Sequence, residues 1–105
     1  DRRREHPRFS ADNIGKNASL LAPLERIAAA KRCTPAQVAL AWLLHKGDDI
    51  VPIPGTKRRE RIDENLKALE VKLSADDLKR ISDAAPPGAG AGTRYPADGM
   101  KRVYI

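Results

Sequence analysis

The sequence predicts an α/β chain, mostly helical, that forms one portion of a larger layered structure. Three observations lead there. Four stretches carry apolar residues at helical spacing. One of them, holding Val38, Ala39, Leu40, Ala41, Trp42, Leu43 and Leu44 in unbroken series, is apolar nearly all round and needs cover on more than one side. Finally, Ile50-Val51-Pro52-Ile53-Pro54 reads as a short buried parallel strand, although Pro52 cannot donate to a ladder. A lone parallel strand has no partner within this sequence, so something else must supply one.

Residues 1–16 mix charge with Pro7, Asn13 and Gly15 and show little periodicity, which predicts a surface loop. A helix over 19–32 follows from the spacing of Leu20, Leu21, Leu24, Ile27 and Ala28, with Ser19 as the expected cap because Pro23 fits best in a first turn. Thr34-Pro35-Ala36-Gln37 combines a capping box with proline at the first helical position and opens a second helix over 34–46, stopped at Gly47. The strand at 50–54 leads through Gly55-Thr56-Lys57 into a helix over 58–69 with the stripe Ile62, Leu66, Leu69. Ser74 and Asp77 form a second capping box, with Leu73 placed to staple onto Leu78, and open a helix over 74–85 that ends before Pro86-Pro87. Residues 86–105, opening Pro-Pro-Gly-Ala-Gly-Ala-Gly, predict an extended tail.

With 105 residues the chain holds one domain at most. It contains no apolar run of membrane-spanning length and no signal-peptide pattern after Asp1, which leads us to expect a soluble, cytoplasmic protein with no membrane partner. Cys33 is the single cysteine, and with His6 and His45 far apart in sequence no metal site is expected. The net charge of +6 points to an anionic partner. Aromatic residues make up only 4% of the chain, which argues against a stacking platform for nucleic acid.

The segment from Ile53 to Asn65 concentrates the chemistry. An apolar strand delivers a glycine turn onto a helix N-terminus surrounded by Lys57, Arg58, Arg59 and Arg61. Free backbone N–H groups, the positive end of the helix dipole and added cations suit a phosphate. Arg61, Glu64 and Asn65 share a helix face through their spacing of three and four, where the edge of a base could be read. Two readings stay open on physics alone: an anion site, or a solvated first turn with ordinary surface pairing. Solvation is the plain reading for Arg2 to Arg4 and for Lys101-Arg102, and a helix-end contact for His45; Cys33 reads as structural.

These motifs resemble the aldo-keto reductase superfamily, in which the last barrel strand ends in Ile-Pro-Gly-Thr-Lys and the next helix carries Arg, then Glu-Asn three and four residues on. Here they stand as Ile53-Pro54-Gly55-Thr56-Lys57, Arg61 and Glu64-Asn65. The similarity extends through Pro7-Arg8-Phe9, Cys33 to Gln37, Ala39 to Leu44 and Gly92-Thr93-Arg94-Tyr95-Pro96. It implies the C-terminal third of a (β/α)8 barrel: an extra helix, helix seven, strand eight, helix eight, a second extra helix and the C-terminal loop.

The resemblance implies a cofactor as well, NADP(H). By position, Lys57 and Arg61 would hold its 2'-phosphate, with Thr56 and the amides of the turn at Gly55 assisting, and Glu64 and Asn65 would contact adenine. The family's catalytic Asp, Tyr, Lys and His belong to the first half of the barrel, in sequence outside this chain, so no catalytic residue is expected here. A carbonyl substrate would be met only in the complete barrel. Arg32 replaces a common glycine and Thr93 a frequent Asp. Taken alone, the chain is expected to be mostly helical, inactive and prone to self-association. Two rival readings are a basic helical module binding nucleic acid through Lys57, Arg58, Arg59 and Arg61, and a noncatalytic interaction subunit.

Overall fold

The computed structural model describes residues 1–103 and is built from helices and turns, with no strand among the described residues. The α-helices are α1 (Ala11–Ala18), α2 (Ala22–Lys31), α3 (Pro35–Leu44), α4 (Arg59–Leu66), α5 (Ala75–Ala84) and α6 (Ala97–Met100), with 3-10 turns at Arg2–Glu5, Pro7–Phe9, Ser19–Leu21 and Lys67–Glu70. The chain divides into two units, Leu21–Ala84 and the flanking segments before and after it.

In the central unit, α2, α3 and α5 close on one apolar cluster of Ile27, Ala28, Val38, Ala41, Leu73 and Ile81. Val38 is fully buried, and Leu24, Cys33, Trp42, Val71 and Leu78 pack around the cluster. The start of α3 is fixed by a complete capping box: Thr34 Oγ1 accepts from the Gln37 amide at 3.2 Å, and Gln37 Oε1 accepts from the Thr34 amide at 2.9 Å. The start of α5 is fixed likewise, by reciprocal bonds of 3.0 Å between Ser74 and Asp77. Trp42 keeps its indole N–H satisfied on Ser82 Oγ at 3.3 Å, while the Lys46 ammonium sits 4.3 Å from the centre of its ring.

Several expectations from sequence are corrected. Residues 50–54 form no strand; they run without regular secondary structure, because no other segment among the described residues offers an edge. Ser19 does not cap the following helix. It ends α1, its hydroxyl donating to the Lys16 carbonyl at 2.7 Å, and the next helix begins at Ala22 behind a 3-10 turn. The helix expected over 58–69 is α only to Leu66 and then tightens to a 3-10 turn.

The flanking unit corrects the loop expected over 1–16, which holds two 3-10 turns and most of α1. Ser10 caps α1 by accepting from the Asn13 amide. Side chains of this segment hold the later one by its backbone: Asn17 accepts from the Ala91 amide at 2.6 Å and donates to the Ala91 carbonyl at 3.1 Å, Arg8 donates to Gly92 at 3.2 Å, and His6 Nδ1 meets the Arg94 carbonyl at 3.0 Å. Gly92 adopts φ 84°, and a Cβ there would lie 2.9 Å from the Arg8 backbone, so both conformation and space require glycine. The tail expected over 86–105 includes the short α6; Tyr104 and Ile105 lie outside the described residues.

Candidate functional site

The turn before α4 is organised by Thr56, whose Oγ1 accepts from the Arg58 amide at 3.1 Å. Arg58 is the N-cap in extended conformation and contributes no side-chain cap; the Arg61 amide bonds to the Arg58 carbonyl at 3.1 Å, which leaves the amides of Arg59 and Glu60 without an acceptor among the described residues. Gly55 has an ordinary φ, and a Cβ added to it would meet no atom within 4 Å. Nothing in the chain itself thus demands glycine at this position, whereas a ligand approaching the backbone closely would. Lys57 and Arg59 are exposed and have no carboxylate within ion-pair distance among the described residues; Arg58 lies 3.9 Å from Glu60.

Further along α4, Arg61 donates to Glu64 Oε2 at 2.6 Å. The Glu64 side chain is only 18% exposed while that of Arg61 is 54% exposed, so the carboxylate is the anchored member and the guanidinium the open one. The Thr34 hydroxyl first, and the Arg61 guanidinium second, hold the Glu64 carboxyl below its usual range. Asn65 points elsewhere. With Thr56 it forms the polar part of a groove of about 290 Å³ otherwise lined by apolar residues, among them Leu40, Leu44, Pro52, Ile62 and Leu69.

Of the residues singled out in the sequence, Arg61 and Glu64 are therefore brought into direct contact, Thr56 and Asn65 share a groove, and Gly55 and Lys57 stand open at the turn. The donor set of open amides, a bare glycine turn and unpaired cations fits a phosphate group, which needs several donors converging on one exposed point. Sequence reasoning missed the part of Gln37. Its Nε2 donates to the Glu64 carbonyl at 2.8 Å, linking the cap of α3 to α4. The capping motif was visible in sequence; a contact across 27 residues was not. His45 sits as expected at a helix end, its Nδ1 2.6 Å from the Ala41 carbonyl. Among the described residues, no group of His, Cys, Asp and Glu side chains could hold a metal ion, and no helix is long and apolar enough to cross a membrane.

The model of the aldo/keto reductase family matches residues 1–86. The chain belongs to the aldo/keto reductase family. It is 50% identical over 90 residues to a Glycine max protein described as "Probable aldo-keto reductase 1", covering 86% of this chain and 26% of that protein. It is 45% identical over its whole length to "Aldo-keto reductase yakc [NADP(+)]" of Schizosaccharomyces pombe, covering 31% of that protein. The chain thus spans between a quarter and a third of the length of these relatives. Membership of the aldo/keto reductase family implies a (β/α)8 barrel, and a mostly helical chain with no strand among the described residues is consistent with part of one.

Proposed function

We propose that this chain supplies the NADP(H)-anchoring part of an aldo-keto reductase that reduces aldehydes or ketones. In that role Lys57 and Arg61 hold the 2'-phosphate with help from Thr56 and the amides around Gly55, while Glu64 and Asn65 meet the adenine end. When bound, the cofactor supplies the hydride. These residues bind and orient it, and the groups that act on the carbonyl belong to barrel sequence outside this chain. The observation that carries the reading is the turn at Gly55–Lys57, where open amides, open space above a glycine and unpaired cations converge at the start of α4. The name of the yeast relative, which specifies NADP(+), supports the choice of nucleotide.

Asn65 contributes as a reader of the base because its amide both donates and accepts, and its groove is apolar enough to receive a flat ring. Arg61 can cover a face of the same ring while contacting the phosphate, which its planar guanidinium permits. Cys33 as a free thiol fits a reducing compartment, and the reading extends to a cytoplasmic location. Lys57→Ala and Arg61→Ala test the assignment by calorimetry with NADP and NAD. Lys57→Ala should weaken NADP by about tenfold, the scale of one charge-assisted contact, and leave NAD nearly unchanged, while Arg61→Ala should weaken NADP by more than NAD, which loses only the contact with the ring. Equal losses for both nucleotides would remove the 2'-phosphate role.

A further inference from the structure

Gln37 is the one buried polar side chain of the chain's described residues, 7% exposed, and capping uses only half of it. Its Oε1 closes the box on the Thr34 amide; its Nε2 reaches out of α3 to the Glu64 carbonyl at 2.8 Å. Closing a cap requires no such second bond. Glu64 in turn holds Arg61 at 2.6 Å, so that two helices are joined through a continuous chain of contacts from Thr34 and Gln37 to Glu64 and Arg61. The contact falls where α4 is about to tighten into the 3-10 turn at Lys67–Glu70, a point at which an unsupported helix end frays.

We infer that Gln37, together with Thr34, is a positioning residue for nucleotide selection: the cap of α3 fixes the second turn of α4 and so holds the Arg61 guanidinium in place before a phosphate arrives. This rests on the reading of Arg61 as a 2'-phosphate ligand. A long, half-exposed side chain ordinarily loses its rotamer freedom on binding, and Arg61 has part of that cost removed in advance because Glu64 already occupies one edge of its fork. The opposite edge stays available for a phosphate. Gln37 and Thr34 touch no ligand in this account; they act through Glu64.

The test uses the 105-residue chain and Gln37→Glu, which keeps the acceptor that closes the cap and removes the donor to Glu64. Circular dichroism and melting establish that α3 persists. Calorimetry then gives the NADP and NAD dissociation constants, and relaxation of the Arg61 Nε–H resonance gives the order of the guanidinium. We expect the preference for NADP over NAD to fall about fivefold, the scale of ordering one long side chain, with NADP affinity falling by more than NAD affinity and Arg61 more mobile without ligand. A folded Gln37→Glu chain with unchanged preference and an equally ordered Arg61 overturns the inference, even while Arg61→Ala abolishes the preference and upholds the 2'-phosphate reading. If Arg61→Ala changes nothing, or the unaltered chain shows no preference, that reading fails and the inference falls with it. Should Gln37→Glu unfold, Thr34→Val against Thr34→Ser decides by the same two readouts, serine being expected to retain the preference and valine to lose it.

Discussion

Arg32 closes α2 with φ 55° and ψ 43°, the single left-handed conformation of a non-glycine residue among the described residues. Its amide still serves the helix end, bonding to the Ala28 and Ala29 carbonyls. For an L residue this conformation costs ~1–2 kcal/mol, partly offset by the extra freedom glycine has when unfolded. Arg32→Gly should therefore stabilise the central unit by roughly 1 kcal/mol, seen as a higher urea midpoint; an unchanged or lower midpoint would mean that Arg32 makes compensating contacts. Gly55 is the reverse case, a glycine whose conformation any residue could adopt. Gly55→Ala should leave the melting temperature nearly unaltered, within the ~0.5 kcal/mol typical of surface changes, and weaken NADP binding. A drop in melting temperature with binding intact would assign this glycine to the fold. In sequence Arg32 stood out against the family pattern, yet its backbone angle was not legible there, and neither was the open space above Gly55.

At the scale of elements, the two capping boxes were legible because every participant lies within four residues. Ser74→Ala removes one of these and should cost about 1 kcal/mol in a chemical denaturation series. The carboxyl of Asp77 is held below its ordinary value of 3.8 by the Ser74 amide first and then by Lys31, 3.0 Å away. A carboxylate whose folded pKa is depressed stabilises fully above its unfolded value and loses that contribution as pH falls through the folded one. Stability against urea should accordingly decline in acid below about pH 4, and Asp77→Asn should flatten part of that decline; an identical acid limb in the variant would exclude Asp77 as its source. Residues 50–54 form no strand among the described residues because a ladder needs a neighbour, and the apolar run that suggests a strand has none within this chain. The helical turns and α1 within residues 1–18 were missed for a related reason. Asn13 and Asn17 secure them through bonds to the Pro7 and Ala91 carbonyls, the latter 74 residues away in sequence.

At the scale of the whole molecule, the described residues leave a set of large apolar side chains uncovered: Ile53 is 91% exposed, Val51 78% and Leu69 69%, with Ile62 and Leu66 also exposed on α4. The same stripe read from the sequence as the buried face of a barrel helix is thus bare in this chain, as expected for a family member spanning under a third of its relatives. Concentration-dependent self-association should appear in sedimentation velocity, and Ile53→Lys combined with Leu69→Lys should reduce it. A monomeric unaltered chain at high concentration would show that these side chains find cover in solution.

The claim on which the rest depends is that the turn and helix from Gly55 to Asn65 recognise NADP(H) through its 2'-phosphate. A two-dimensional amide NMR titration of the chain with NADP, repeated with NAD, tests it most directly. The account predicts dispersed spectra in which Gly55, Thr56, Lys57, Arg61 and Asn65 shift with NADP and respond more weakly to NAD. Dispersed spectra in which these residues ignore both nucleotides, or follow them equally, would contradict it.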